Sequence, residues 1–332
     1  MSRYGGGGFG HGRWLDIAFE DGDSTPLGAT RLLVRGRRLP KDAPVETTMP
    51  DGNTVVPDRA TATPLDHLII AATSLLPNNW LGLRLAILLR RAVTMRLAGD
   101  AGIDVERWGL RMRLHPRHSG CEKGLLFTPQ MYEVEERAEL AAEIARAAAA
   151  ERTFVFIDIG ANVGLFSLYV ASRTGEKAKI LAFEPEPENV RRLRFNVDAN
   201  PGIPIQVFDF ALGDTEGGAL LVPNGRDRGG SRALRLSVEA EAANAIRVRC
   251  RPLFDVLIQE GLQSVDALKI DVEGMEDTIL IPFFRNAPTS LWPRLLIIED
   301  TSGLWQLDLF SELKALGYVV STRTKLNVMM RR

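Results

Sequence analysis

Along its second half the chain alternates two kinds of apolar pattern. Short, near-continuous apolar runs ("TFVFIDIG", "KILAFEP", "IQVFDFA", "DALKIDV" and "RLLIIED") are separated by stretches with apolar residues at helical spacing ("LFSLYVASR", "PENVRRLRFNVDA", "LFDVLIQEG", "EDTILIPFF" and "LDLFSELKAL"). Continuous apolar strands between amphipathic helices predict a parallel sheet covered on both faces. The tail "GYVVSTRTKLNVMMRR" holds two apolar runs with no helix between them, which predicts a hairpin and hence an antiparallel strand closing the sheet. The alanine-rich "YEVEERAELAAEIARAAAAERT", acidic in its first turns, predicts a helix ahead of the first strand.

Upstream the patterning weakens. Residues 1–60, rich in Gly, Pro, Asp and Thr, are expected to be flexible or peripheral. Residues 61–120 read as an accessory region, with helical spacing from Pro64 to about Ala98 and a half-buried strand in "VERWGLRMRLHP". Residues 121–332 form the main domain. The apolar stretch "HLIIAATSLLPNNWLGL" is broken by Pro77, Asn78 and Asn79 and followed by Arg84, Arg90 and Arg91. It reads as helices rather than a membrane span, with a basic segment lying on a membrane surface as the lesser alternative.

Composition adds exclusions. A net charge of −1, from 41 basic and 42 acidic residues, gives no basic excess to suggest nucleic acid or anionic lipid. Cys121 and Cys250 cannot make a disulfide framework and sit in no zinc spacing. With no signal peptide in "MSRYGGGGFGHGRW", a reducing, cytoplasmic location is expected.

Candidate chemistry lies where the strands end, which is where open parallel sheets bind ligands. In "DIGANVGLFSL" the first strand runs through Asp158 into a turn with Gly160, Asn162 and Gly164. A dinucleotide fingerprint needs glycine at 162 and 165, where the pyrophosphate presses on the backbone, and this chain has Asn162 and Leu165. A ligand without phosphate relaxes that demand, and Asp158 suits an ammonium group. The plainer alternative is a strand-to-helix turn in which the glycines supply positive φ. Glu184 ends the second strand, 26 positions after Asp158, where a carboxylate can accept hydrogen bonds from both ribose hydroxyls. Asp209 or Phe210, at the end of the third, can meet an adenine. S-adenosylmethionine, which has an amino acid end, a ribose and an adenine but no phosphate, matches these demands.

The fourth strand ends in "LKIDVEGMED", where Lys269, Asp271 and Glu273 alternate and would share one face if the strand extends that far. A mutually paired charge cluster is the structural alternative. All four histidines, His11, His67, His115 and His118, precede the sheet, so a base drawn from it must be a carboxylate or a lysine.

Taken in order, "FTPQMYEVE", "DIGANVGLFSL", "AFEPEPENVRRLRFNV", "ALGD" and "DALKIDVEGMED" resemble the FkbM family of S-adenosylmethionine-dependent methyltransferases over about residues 125–300. The resemblance implies an α/β class I methyltransferase fold, a doubly wound and mostly parallel sheet, and methylation of hydroxyl oxygens on sugars or natural products. It implies that Asp158, Gly160, Asn162 and Gly164 line the methionine end of the cofactor, that Glu184 holds the ribose, and that Asp209, Phe210 and Ala211 border the adenine. Asp271 and Glu273 match the family's "KIDVEG" and become candidates for orienting or deprotonating a hydroxyl-bearing acceptor. Val134 stands where the family commonly has proline in a "YEPE"-like stretch. No dedicated metal motif is present, and a divalent cation on Asp271, Glu273 and Glu299 is a second reading. A non-catalytic module of the same fold and an NAD-dependent oxidoreductase are the rival functions.

Overall fold

The computed structural model describes residues 62–97, 102–117, 119–222, 232–235 and 245–332. The predicted N-terminal segment 1–60, with His11, and also His118 lie outside the described residues.

The accessory region opens with two helices, α1 (Pro64–Ser74) and α2 (Trp80–Arg96). Thr63 and Asp66 form a reciprocal capping box at the start of α1, and the Asn79 side chain accepts from the Gly82 amide to start α2. The stretch "VERWGLRMRLHP", expected as one strand, is instead part of a hairpin of β1 (Ile103–Arg107) and β2 (Leu110–Leu114). Trp108 (φ 56°) and Gly109 (φ 80°) supply two successive left-handed residues, the geometry a two-residue hairpin loop requires. A short helix, α3 (Gly120–Phe127), follows.

The main domain runs through α4 (Val134–Ala149), β3 (Phe154–Ile159), α5 (Leu165–Thr174), β4 (Ala178–Phe183), α6 (Pro187–Asp198) and β5 (Ile205–Phe208). Then come β6 (Ala211–Gly213), β7 (Gly217–Val222), β8 (Arg232–Arg235), β9 (Ile246–Pro252) and α7 (Leu253–Gln259). It ends with β10 (Ala267–Ile270), α8 (Glu276–Asn286), β11 (Leu295–Glu299), α9 (Leu309–Ala315), β12 (Val319–Arg323) and β13 (Asn327–Arg331).

Seven strands form the central sheet in the order β12-β13-β11-β10-β3-β4-β5. The five from β11 to β5 are parallel, and β13 and β12 close the β11 edge as the antiparallel hairpin the tail predicts. From β3 the chain winds outwards through β4 and β5, then returns to lay β10 and β11 on the other side. The switch point therefore lies between β3 and β10.

Every residue of β3 is buried. Phe154 and Phe156 pack with Leu140 of α4 and with Phe166, Tyr169 and Val170 of α5, while Ile157 and Ile159 pack with Ile279, Phe283 and Phe284 of α8. Truncating either phenylalanine to alanine would cost about 3–5 kcal/mol. A third cluster joins Ile70, Val93 and Leu114 of the accessory region and Phe127 of α3 to Val163, Leu165 and Leu168, so the accessory region packs directly on the turn after β3.

One expected strand divides. "IQVFDFA" ends as β5 at Phe208, and Ala211 begins β6 in a separate four-stranded sheet of order β6-β9-β7-β8. β9 alternates intermediate and exposed residues in "IRVRC", as a strand with one solvated face does.

Candidate active site

The turn after β3 is built on left-handed backbone at Gly160 (φ 73°), Asn162 (φ 54°) and Gly164 (φ 86°). A Cβ on Gly160 would lie 1.9 Å from the Asp271 carbonyl oxygen, so glycine there answers both the φ and the close approach of the β10 loop. Asparagine tolerates left-handed backbone better than most residues, which suits Asn162 to its place. The Gly160 and Ala161 amides both donate to the Phe183 carbonyl at 2.9 Å, tying this turn to the end of β4.

Asp158 is fully buried beneath the turn. Its Oδ2 accepts from the Ser167 amide (3.1 Å) and hydroxyl (2.6 Å), whereas Oδ1 has no hydrogen-bond partner among the described residues. Burial, opposed by nearby Lys269, raises its pKa. Glu184, 6% exposed, accepts from the Asn162 amide through Oε2 (2.8 Å) and from the Glu186 amide through Oε1 (2.9 Å). Burial pushes its pKa up to about 7 despite those donors. The Asn189 side chain is a third donor to this carboxylate, which leaves part of its acceptor capacity for a ligand.

An open cleft lies over these strand ends. Of the sequence candidates, Gly160, Asn162, Glu184, Phe210, Ala211 and Asp271 line it. Phe210 packs edge-on to Phe183 (5.8 Å), with the Arg249 and Arg251 guanidinium groups over its ring at 5.6 and 5.5 Å. Asp158, Gly164, Asp209 and Glu273 are not in the wall. Gly164 sits at the N-cap of α5, where a Cβ would come within 2.3 Å of Leu193. Asp209, with 45% of its side chain exposed, pairs with Arg194 (2.9 Å) and Arg249 (3.4 Å).

At the opposite wall β10 stops at Ile270, so the expected alternation of Lys269, Asp271 and Glu273 along one strand does not hold. The Asp271 amide donates to the Ile159 carbonyl, after which the chain turns through Glu273 (φ 56°) and Gly274 (φ 98°). The loop still gathers the charges: Lys269, 5% exposed, places Nζ 3.1 Å from Asp271 Oδ2 and 5.0 Å from the Phe166 ring centroid. Burial opposes the ammonium charge, but Asp271, Asp158 and Glu133 outweigh it and hold the pKa above the ordinary lysine value. One carboxylate oxygen from each of Asp271, Glu273 and Glu299 lies within 4.8 Å of the others. Burial, followed by the charges of Asp271 and Glu273, drives the Glu299 pKa upward.

Two groups escaped the sequence reading. Glu276, wholly buried, accepts from the Val272 (3.0 Å) and Gly274 (3.3 Å) amides through Oε1, and from Thr301 Oγ1 and Trp305 Nε1 (both 2.6 Å) through Oε2. It thereby fixes the loop that carries Asp271. Glu133, at left-handed φ 43° before α4, is drawn to pKa about 8 by burial and by Glu136, and belongs to the charge cluster around Lys269. The carboxylate within "EGMED" was a signal for Glu276, but it reads equally as a charge at a helix start. Neither His67 nor His115 lines the cavity.

A doubly wound sheet with a cavity at its switch point, an acidic side chain at the end of the second parallel strand and no phosphate fingerprint defines a class I methyltransferase fold. The family profile described as the methyltransferase FkbM domain matches residues 158–320. The hexuronic acid methyltransferase AglP of Haloferax volcanii is 30% identical over 185 residues, covering 54% of this chain and 68% of AglP. The methyltransferase sdnD of Sordaria araneosa is 32% identical over 155 residues (37% of this chain, 58% of sdnD). The AMB antimetabolite synthetase AmbE of Pseudomonas aeruginosa is 31% identical over 208 residues (51% of this chain, 10% of AmbE). The chain thus spans just over half of sdnD and a tenth of AmbE. It belongs to the FkbM methyltransferase family, whose cofactor is S-adenosylmethionine.

Proposed function

We propose that this chain transfers the methyl group of S-adenosylmethionine to a hydroxyl oxygen of a sugar or natural-product acceptor. The observation that carries this reading is a cleft whose walls hold Gly160, Asn162, Glu184, Phe210 and Ala211 on one side and Asp271 on the other. Glu184 accepts the ribose hydroxyls, Phe210 and Ala211 border the adenine, and the turn from Gly160 to Gly164 meets the methionine end. Asp158, buried outside the cavity wall, supports that turn from beneath through its bonds to Ser167. Asp209, paired with two arginines at the rim, acts on the adenine end only through its neighbour Phe210.

The bound cofactor supplies an electrophilic methyl carbon. Asp271, held by Lys269, orients the acceptor hydroxyl, and Asp271 or Glu273 receives its proton. Much of the acceleration comes from alignment, which can contribute as much as about 7–11 kcal/mol. The sugar class draws support from the name of one relative, a hexuronic acid methyltransferase. Incubation with S-adenosylmethionine bearing a deuterated methyl group and a pool of hexuronic acid glycans tests the reading. Labelled O-methyl sugars are expected, and they disappear with Asp271→Asn. Cofactor binding without labelled product from glycan or natural-product pools refutes the acceptor class.

A further inference from the structure

Fourteen large apolar side chains are exposed among the described residues, and eight of them belong to α1, α2 and their connection: Leu65, Leu68, Leu75, Trp80, Leu81, Leu85, Leu88 and Met95. They are ordered rather than scattered. On α2, Leu81, Leu85, Leu88, Ala92 and Met95 recur in steps of four and three, which puts them on one stripe. Gly82, Ala86 and Val93 face the core from the other side, so the outer stripe is surplus to folding.

The charges around the stripe have one sign. The hairpin's only acidic residue, Asp66, is 2% exposed and already engaged by Arg96. Arg84 and Arg91 are exposed along one border of the stripe, Arg84 stacked over the Trp80 ring at 5.3 Å, and Arg96 reaches the other border. A chain of net charge −1 therefore carries a local face that is apolar and cationic.

We propose that the α1–α2 hairpin docks on an anionic phospholipid surface through the α2 stripe, with Trp80, Leu81, Leu85, Leu88 and Met95 seated at the headgroup and acyl boundary and Arg84 and Arg91 paired with lipid phosphates. Charge complementarity selects this occupant. A second copy would bring the Arg84 and Arg91 rows against their own like charge, whereas anionic headgroups neutralise them. The hairpin lies on the surface and does not cross it: no helix among the described residues is long and apolar enough to span a membrane.

Flotation of the full chain with vesicles of phosphatidylcholine alone, or mixed with phosphatidylglycerol, tests the proposal. Binding is expected only to the anionic vesicles and weakens as salt is raised. Arg84→Gln with Arg91→Gln should reduce partitioning about fivefold per arginine. Leu81→Ser with Leu88→Ser and Met95→Ser should abolish it while lowering the melting temperature only by the small helix-propensity cost of serine, because these side chains are exposed in the folded protein. Three results each overturn the proposal: no flotation with either vesicle, equal flotation with both, or a solution dimer by light scattering that the serine variant dissociates.

Discussion

Raising the pH from about 6 to about 8 should tighten S-adenosylmethionine binding about tenfold through one carboxyl group, that of Glu184. Burial raises its pKa to about 7, and in the proposed binding mode only the ionised form would accept from both ribose hydroxyls while keeping the bonds from Asn162 and Glu186. One unit below that pKa about a tenth of the molecules carry the carboxylate, and one unit above it about nine-tenths do, a difference worth about 1.4 kcal/mol in binding. Calorimetric titration across this range reads the effect directly, with Glu184→Gln as the control that cannot titrate. The same group leaves a stability signature of known sign. Because the folded pKa lies above the unfolded value, the unfolded chain ionises first as the pH rises, so the contribution is intact below about 4.5 and is lost by about 7. The stability difference between wild type and Glu184→Gln should therefore shift by up to about 3 kcal/mol over that window. A dissociation constant that stays flat in the wild type, or falls equally in the variant, refutes the reasoning.

Three further outcomes follow from the geometry. Gly160→Ala places a methyl group against the Asp271 carbonyl at positive φ and should cost more than about 2 kcal/mol by denaturant unfolding, whereas Gly109→Ala, which meets nothing, should cost only about 1 kcal/mol. Asp266→Ala removes a buried carboxylate that accepts from Arg152 (2.7 Å) and the Val155 amide (2.9 Å), and should cost about 3–5 kcal/mol. Glu276→Gln offers an NH2 group to donors that need an acceptor, loosening the Asp271 loop; turnover should fall by as much as about a hundredfold while cofactor affinity changes little.

The fold was legible wherever burial is uniform. Strands such as Phe154–Ile159, covered on both faces, read as unbroken apolar runs, and the helices between them keep their period. Legibility failed where conformation departs from pattern. Trp108 at positive φ hid a hairpin inside apparent alternation, and the break after Phe208 hid the passage into a second sheet whose strands are half solvated. The candidate site was legible as residue types at strand ends, not as distances. Lys269 and Asp271 meet, but through a loop in which Glu273 takes left-handed backbone rather than along one strand face. Glu276 stayed hidden because its four donors come from sequence-distant segments as well as the adjacent loop, and a single carboxylate does not announce its partners.

Glu184 anchors the proposed cofactor pocket at the β3 and β4 ends. Its most direct test is calorimetric titration of S-adenosylmethionine and, separately, of NAD into the wild type and Glu184→Ala. The folded wild type is expected to bind S-adenosylmethionine and not NAD, and the variant to lose most of that affinity. An absence of S-adenosylmethionine binding by the folded wild type, or undiminished binding by the variant, contradicts it.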